Sequence, residues 1–303
     1  MFSRLLILTA LALVANPAQV GAAKNPLTGV RVGIADQKPQ MFKDLRFLFL
    51  GVKDARLSVG WDALNDRRQS AQVAAWLGAA RKAGVEPLIT FGSSRRKGQF
   101  RNLPSQKVYR QAFRRFRTRY PWVENYATWN EANLCGQPTC RRPEVVARYY
   151  SAMRAECPSC RVLAAEVLDI ANMTFWVRGF RRALGSDPKY WGLHNYVDAN
   201  RFRTNATQRM LRATKGEIWL TETGGIVRRR NPSKIRLTEG EPHAAKAMRW
   251  LLDKIVPLSP RIKRVYLYHW NSSTARDGWD SAFIDYRGRP RLALEVLRNR
   301  LKK

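Results

Sequence analysis

Two short stretches, Tyr126-Ala-Thr-Trp-Asn-Glu131 and Ile218-Trp-Leu-Thr-Glu222, carry most of the information about the fold of this chain. Each is an apolar run of residues that favour β-strands, and each ends on a glutamate. A carboxylate at the tip of a buried strand is costly unless a partner or a reaction uses it. The chain between the two glutamates has room for three strand–helix units. The two stretches therefore predict paired carboxylates at the ends of barrel strands.

Strand-like and helix-like patterns alternate along the rest of the 303-residue chain. Amphipathic stretches lie between the apolar runs. Eight strands separated by helices imply a parallel sheet, and about 250 residues is typical of a (β/α)8 barrel. A doubly wound open sheet is the alternative, but no glycine-rich phosphate loop follows the first strand. We predict one α/β domain over residues 24–303, a (β/α)8 TIM barrel with strands near residues 30–35, 55–60, 85–91, 126–129, 162–167, 190–196, 217–221 and 265–270.

The N-terminal residues are typical of a secretion signal. Arg4 supplies a positive charge, residues 5–14 are apolar, and small residues at 21–23 offer a cleavage site. The apolar stretch is too short to span a bilayer, and no later segment approaches the required length. An uncleaved anchor is the alternative. We predict a signal peptide over residues 1–23 and a soluble mature protein that is secreted or held in the cell envelope.

Four cysteines agree with an exported protein, because disulfides are the default in an oxidising compartment. Cys135 and Cys140 bracket one loop, and Cys157 and Cys160 bracket another. Three pairings are possible, and the sequence does not choose between two local loops and two cross-links. A zinc site with four thiolate ligands is the other interpretation, but the first spacing is loose for zinc.

The net charge of +32 is extreme for a chain of this length. Nucleic-acid binders carry such charge, but here the basic residues are spread over most helices and no nucleic-acid motif accompanies them. We therefore predict no specific nucleic-acid partner. The charge also suits an anionic polymer as partner. The long loops after the third and seventh strands are strongly basic. Their cationic residues are Arg95, Arg96, Lys97 and Arg101 in the first loop, and Arg228, Arg229, Arg230, Lys234 and Arg236 in the second.

The two glutamates lie at the ends of the fourth and seventh predicted strands. Both then point into the mouth of the barrel, on opposite sides of its axis. Cleavage of a glycosidic bond requires one carboxylic acid to protonate the leaving oxygen and one carboxylate to attack or to activate water. Glu131 and Glu222, facing each other across a gap the size of a sugar, would fit that requirement.

These residues resemble the signature of the clan A glycoside hydrolases, which are retaining (β/α)8 enzymes. The resemblance lies in Asn130-Glu131 and Thr221-Glu222. It implies that Glu131 is the acid/base, that Asn130 binds the sugar 2-hydroxyl, and that Glu222 is the nucleophile.

Further positions extend the resemblance over essentially the whole predicted mature chain. Arg56 matches the clan's arginine beside the nucleophile. His194-Asn195-Tyr196 resembles the clan's His-x-Tyr segment, and Trp270 its aromatic platform for a sugar face. Two departures stand out. Ala132 replaces the proline that often follows the acid/base, and Thr90-Phe91 occupies the place of a histidine found in some families.

Each of these residues also has a structural interpretation. With so many arginines available, a glutamate at a strand end can serve an ion pair, and Trp270 or His194 can belong to the core. Three other carboxylates follow predicted strands, and we expect them to bind substrate or to be structural: Asp36, Glu166 and Asp169. The chain has only three histidines and lacks a Gly-x-Ser-x-Gly motif, so we expect no metal, no cofactor and no serine hydrolase.

The sequence thus predicts a secreted, monomeric, retaining glycoside hydrolase that acts on a polysaccharide or oligosaccharide. The basic loops favour acidic glycans through long-range attraction. The alternative is a barrel of the cell envelope that binds carbohydrate or polyanions without catalysis.

Overall fold

The computed structural model describes residues 27–230 and 235–302. The predicted signal peptide and Lys234 lie outside the described residues. All eight predicted barrel strands are present, and the sheet is parallel, in the order β5-β4-β3-β2-β1-β10-β8-β7-β6. The strands are β1 Arg31–Ala35, β2 Asp54–Gly60, β3 Glu86–Gly92, β4 Asn125–Ala127, β5 Arg161–Leu163, β6 Glu166–Leu168, β7 Tyr190–His194, β8 Glu217–Thr223 and β10 Ile262–Tyr268.

The predicted fifth strand is divided into the two short segments β5 and β6. β5 pairs with β4, and β6 pairs with β7. Backbone hydrogen bonds around the break join both neighbours. Ala164 N–H donates to the Tyr190 carbonyl at 2.9 Å, and Glu166 N–H donates to the Trp129 carbonyl at 2.9 Å. These bonds draw the two ends of the sheet together into a nearly closed barrel, as predicted.

Helices surround the barrel and cover its strands. α2 illustrates how the sequence determines where a helix begins and which face it buries. Asp66 caps its first turn by accepting from the Gln69 amide at 2.8 Å, and residues at helical spacing turn Val73 and Trp76 inward. No helix of the described ranges combines the length and apolarity needed to cross a membrane. The helices are α1 Leu45–Leu50, α2 Arg67–Lys82, α3 Gln106–Arg119, α4 Pro143–Glu156, α5 Met173–Leu184, α6 Tyr196–Asn200, α7 Asn205–Ala213, α8 Glu241–Trp250 and α9 Leu292–Leu301.

The barrel interior is filled at its N-terminal end and leaves the C-terminal end for a site. An ion-pair network joins the starts of the strands, where Arg264 contacts Asp54 at 2.9 Å and Glu86 at 3.2 Å. Ion pairs at this end contribute to stability, whereas residues at the other end form the active sites of such barrels.

The long loops after β8 and β10 meet above the C-terminal end. A two-stranded antiparallel ribbon joins them, made of β9 Arg228–Arg229 and β11 Trp279–Asp280. This ribbon places Trp279 over the mouth of the barrel.

Both disulfides are local. Cys135 pairs with Cys140 and Cys157 with Cys160, so the four cysteines close two small loops and none is free. The pairing that the sequence left open is thereby decided, and the thiolate zinc site has no ligands left.

Candidate active site

Arg56 is the centre of a buried hydrogen-bond network inside the barrel. It lies on β2, and its side chain is fully buried. Nη1 donates to a Glu222 oxygen at 2.8 Å, and Nε donates to Glu166 at 2.8 Å. Nη2 donates to the side-chain oxygen of Asn130 at 2.7 Å. One guanidinium therefore fixes three side chains: Asn130, which follows β4, Glu166 in β6 and Glu222 in β8.

Glu222 lies in β8 and receives a second donor from Tyr196, the first residue of α6. The Tyr196 hydroxyl donates to its other oxygen at 3.1 Å. Burial and the charge of Glu222 raise the pKa of Tyr196 well above its usual range, so the phenol stays a proton donor. Glu222 keeps 16% of its side chain exposed, and this exposed part faces the cavity.

Glu131 owes its position to an unusual backbone conformation. The chain continues past β4 with Asn130 N–H donating to the Phe91 carbonyl at 2.7 Å. Glu131 then adopts a φ of 47°, in the left-handed region that residues other than glycine rarely occupy. Such strain concentrates at functional sites, where the surroundings hold the conformation in place. Here Ala132 N–H donates to the Glu166 carbonyl at 2.9 Å and fixes the turn from the far side.

The two predicted catalytic carboxylates meet at the mouth. One oxygen of Glu131, one oxygen of Glu222 and one ring nitrogen of His194 lie within 4.8 Å of one another. Glu131 is 23% exposed and Glu222 is 16% exposed, so both remain reachable from the cavity. The structure thus brings both glutamates, Asn130, Arg56, His194 and Tyr196 into one cluster.

His194 bridges two carboxylates. Nδ1 lies 3.4 Å from Glu131, and Nε2 lies 3.4 Å from Glu166. Burial opposes its charge, but the surrounding carboxylates, Glu222 foremost, raise the pKa of His194 to about 9. The surrounding carboxylates therefore favour the protonated ring, whose Nδ1 faces Glu131 and whose Nε2 faces Glu166.

Glu166 is the buried anion on which this arrangement depends. Burial alone would raise the pKa of its carboxyl, but Arg56 and His194 lower it to about 2. Thr90 adds a donor, its hydroxyl lying 2.9 Å from Glu166. Thr90 stands where some clan A families have a histidine, and here it supports the network instead. Glu166 holds Arg56 and His194 and does not face the cavity, because its side chain is fully buried.

A cavity of about 360 Å³ opens above the two glutamates. Most of its lining is apolar or aromatic. Trp279 packs edge-on against Tyr196 with ring centroids 4.8 Å apart, and Tyr268 at the end of β10 completes the aromatic side. The apolar residues on the Glu131 side are Leu134, Leu168 and Ile170.

Trp270 does not lie where an aromatic platform is needed. In a continued strand, residue 270 would point to the same side as residue 268. β10 ends at Tyr268, however, so this alternation does not extend to Trp270. Its indole is 1% exposed, packs edge-on against Phe47, and donates to Asp44 at 3.0 Å. Trp270 is thus a core residue, and the aromatic residues of the cavity are Tyr196, Tyr268 and Trp279.

The other carboxylates named from the sequence have structural partners. Asp169 lines the cavity, but its oxygens accept the backbone amides of Val197 and Asp198 at 3.2 and 2.7 Å. Burial raises the pKa of Asp169 to about 7. Asp36 accepts the amide of Trp270 at 2.8 Å and holds the loop after β1.

Glu131, His194 and Glu222 also have the spacing of a metal site. A metal ion would have to displace the proton that the carboxylates around His194 favour, since a metal ligand must be a deprotonated imidazole. The guanidinium of Arg56 already neutralises Glu222 at 2.8 Å. This donor set fits proton transfer better than metal binding, and the prediction of no metal stays a prediction.

Both basic loops pair some of their described arginines with carboxylates. In the loop after β8, Arg229 pairs with Glu239 at 3.3 Å and Arg228 with Asp280 at 3.9 Å. In the loop after β3, Arg96 lies 3.9 Å from Asp62. Arg95 of that loop reaches the mouth of the barrel, where it binds the Ser58 carbonyl at 2.7 Å.

Comparison with known proteins gives structural similarity without sequence similarity. No protein-family model matches the chain, and no curated protein matches it. Among solved structures, xylanase 10B from Thermotoga maritima aligns with a TM-score of 0.63 at 11% identity, covering 92% of this chain and 96% of that one. GH5_18 from Streptomyces cattleya, in complex with GlcNAc, aligns with a TM-score of 0.62 at 15% identity over 90% and 80% of the two chains.

A family 39 glycoside hydrolase from Bacteroides cellulosilyticus aligns with a TM-score of 0.59 at 14% identity, over 89% of this chain. The present chain spans 63% of the length of that protein. At these identities the similarity establishes the fold. The resemblance to clan A glycoside hydrolases that the sequence suggested is confirmed at this level, as a shared (β/α)8 barrel.

Proposed function

We propose that the chain is a retaining glycoside hydrolase that cleaves O-glycosidic bonds of a polysaccharide or oligosaccharide. The observation that carries this proposal is the approach of Glu131 and Glu222 to within 4.8 Å at the mouth of the barrel. Retaining enzymes place their carboxyl groups about 5 Å apart, whereas inverting enzymes need about 6.5–9.5 Å to accommodate a water molecule. The observed spacing favours the retaining mechanism.

Glu222 attacks the anomeric carbon, and Glu131 protonates the departing oxygen. The bond from carbon to the leaving group breaks as the bond to the Glu222 oxygen forms. Glu131 then takes a proton from water, which releases the sugar with retained configuration. Arg56 and Tyr196 hold the two Glu222 oxygens, so that attack needs no reorientation of the carboxylate.

Asn130 contributes by orienting the sugar. Its side-chain oxygen accepts from Arg56 at 2.7 Å, which fixes the amide so that its NH₂ group is the free end. This NH₂ group, beside the acid/base, can donate a hydrogen bond to the sugar hydroxyl on the carbon next to the anomeric centre.

Azide rescue separates the two carboxylate roles. Glu222→Ala should be inactive on 4-nitrophenyl β-glycosides and should form the glycosyl azide of inverted configuration when azide is added. Glu131→Ala should form the azide of retained configuration, because azide then attacks the glycosyl-enzyme. A panel of gluco-, xylo- and manno-configured substrates covers the unknown sugar. The proposal fails if Glu222→Ala keeps wild-type turnover or if neither variant forms an azide.

We further propose that acidic glycans are the preferred polymers. The support is the net charge of +32 together with the cationic loop after β3. Turnover of an acidic polymer should fall steeply with added salt, because screening shortens the range of attraction to about 8 Å at physiological ionic strength. Turnover of a neutral polymer should change little. Equal salt dependence for the two polymers would contradict the preference.

Export and a monomeric state complete the proposal, with residues 24–303 as the mature catalytic domain. The signal-like sequence at residues 1–23 and the two local disulfides support export. Expression in a bacterial host should yield extracytoplasmic protein whose N-terminal sequence begins at residue 24. Light scattering should give the mass of one chain. A cytoplasmic, uncleaved product or a dimer mass would contradict these statements.

A further inference from the structure

Arg95 is a cation at the mouth of the barrel with no carboxylate partner. All aspartates and glutamates of the chain lie within the described ranges, and none of their oxygens forms an ion pair with Arg95. Nη2 is held by Ser58, whose carbonyl and hydroxyl oxygens lie at 2.7 and 3.3 Å. Nε and Nη1 have no acceptor among the described residues. The guanidinium is therefore held in position while most of its donors remain free.

Arg95 lies beside the residues that act on the sugar. Ser58 follows Arg56 by two residues on β2, so the two side chains lie on the same face of the strand. Burial and the charge of Arg56 lower the pKa of Arg95, whereas Tyr268 acts in the opposite direction. Arg56 is already paired with Glu166 and Glu222, whereas Arg95 has no carboxylate partner among the described residues.

A second cavity, of about 480 Å³, adjoins Arg95. Four glutamines from the loop after β1 and from α2 contribute to its lining and supply amides for hydroxyl groups: Gln37, Gln40, Gln69 and Gln72. Lys38 also lines it, but its ammonium contacts the Asn271 carbonyl and lies 3.8 Å from Asp36. Arg95 is the cation of this cavity that has donors free for a ligand.

The two cavities differ in the chemistry of their linings. The cavity above Glu131 is largely apolar, whereas the cavity beside Arg95 has a mixed lining that includes four glutamines and two cationic residues. Arg56 contacts Asn130 and Glu222, which act on the ring that carries the anomeric carbon. Arg95 lies close enough to Arg56 and Tyr268 for their charges to act on it, and Tyr268 lines the cavity above the two glutamates.

We propose that Arg95 binds the carboxylate of the sugar whose anomeric carbon is attacked, so that the enzyme prefers glycuronides to the neutral hexosides of the same configuration. This inference rests on the proposed glycosidase function. The planar guanidinium offers the paired donors that a carboxylate accepts. It also turns the general attraction for acidic glycans into a preference at one sugar position.

The test compares 4-nitrophenyl glycosides in matched pairs, a β-D-uronide and the hexoside of the same ring configuration. The variants are Arg95→Gln, Arg95→Lys and the control Arg101→Gln. Arg101 is an exposed arginine of the same loop, so its loss removes the same charge away from the mouth. Thermal unfolding of each variant verifies that it is folded.

Wild type should have the higher kcat/KM on the uronide. Arg95→Gln should lower the uronide-to-hexoside ratio of kcat/KM by about 10- to 100-fold, the range for one charged hydrogen-bonded contact. Arg95→Lys should restore part of the ratio, and Arg101→Gln should leave it within about twofold. The inference is overturned if Arg95→Gln and Arg101→Gln change the ratio equally, or if wild type cleaves hexosides but not uronides. In the latter case the glycosidase function stands. Absence of any turnover by wild type, with no azide product from Glu222→Ala, would contradict both the glycuronide preference and the glycosidase function.

Discussion

Replacement of Glu166 by glutamine tests the buried network that holds the site. Glu166→Gln keeps the shape of the side chain but removes the negative charge that faces Arg56 and His194. The carboxyl pKa falls from 4.5 to about 2 in the folded protein. At about 1.4 kcal/mol per pKa unit, the ionised carboxylate contributes about 3 kcal/mol near pH 7. Breaking a buried ion pair typically costs about 3–5 kcal/mol, which agrees.

The sign of the pH dependence follows from the lowered pKa. This stabilisation is fully present above the unfolded pKa of 4.5 and is lost as the pH falls toward about 2. The difference in free energy of unfolding between wild type and Glu166→Gln should therefore be about 3 kcal/mol near pH 7. Near pH 3.5 it should be about 2 kcal/mol.

Urea unfolding followed by circular dichroism measures these differences. The matched control is Glu144→Gln, since Glu144 is 46% exposed on α4 and its nearest cation, Arg142, lies 3.9 Å away. The control should change the free energy of unfolding by less than about 0.5 kcal/mol. The reasoning is refuted if Glu166→Gln behaves like Glu144→Gln, or if its cost does not shrink in acid.

Three further predictions concern the groups around the nucleophile. Tyr196→Phe should lower kcat/KM by about tenfold with little change in melting temperature, because it removes one hydrogen bond to Glu222; an unchanged kcat/KM would exclude that bond from catalysis. Trp279→Ala should raise KM severalfold in steady-state kinetics, since the ring lines the cavity beside Tyr196; an unaltered KM would place the sugar elsewhere. His194 has a folded pKa raised from 6.5 to about 9, so its stabilisation is present below pH 6.5 and lost as the pH rises through about 9. Wild type should lose up to about 3 kcal/mol over this interval in urea unfolding, and His194→Gln should lose much less; parallel pH profiles would count against a charged ring.

The strand ends of the site were predictable because strand periodicity and local composition set them. Glu131 and Glu222 each come at the end of an apolar run, Arg56 lies within β2, and the barrel brings the three side chains to one mouth. The error at Trp270 arose at a strand end, where short-range pattern is weakest. Residues 266, 268 and 270 alternate correctly for one face, and only the early exit of the chain after Tyr268 separates them.

The loops were predictable in composition but not in pairing. Which arginines remain free depends on which loops meet above the barrel. The ribbon of β9 and β11 brings Asp280 to Arg228, while the loop after β3 leaves Arg95 without an acid. Such contacts join segments that are distant in sequence, so periodicity carries no signal for them. The left-handed backbone at Glu131 is likewise set by hydrogen bonds from neighbouring strands.

Covalent trapping tests the central claim most directly. Wild-type protein is incubated with a mixture of gluco-, xylo- and manno-configured 2-deoxy-2-fluoro glycosyl fluorides and analysed by intact-mass and peptide mass spectrometry. The fluorine slows release of a glycosyl-enzyme, so an adduct of one sugar per chain should accumulate on Glu222 and be absent from Glu222→Ala. Labelling of another residue, or persistence of the adduct in Glu222→Ala, would contradict the assignment of Glu222 as nucleophile.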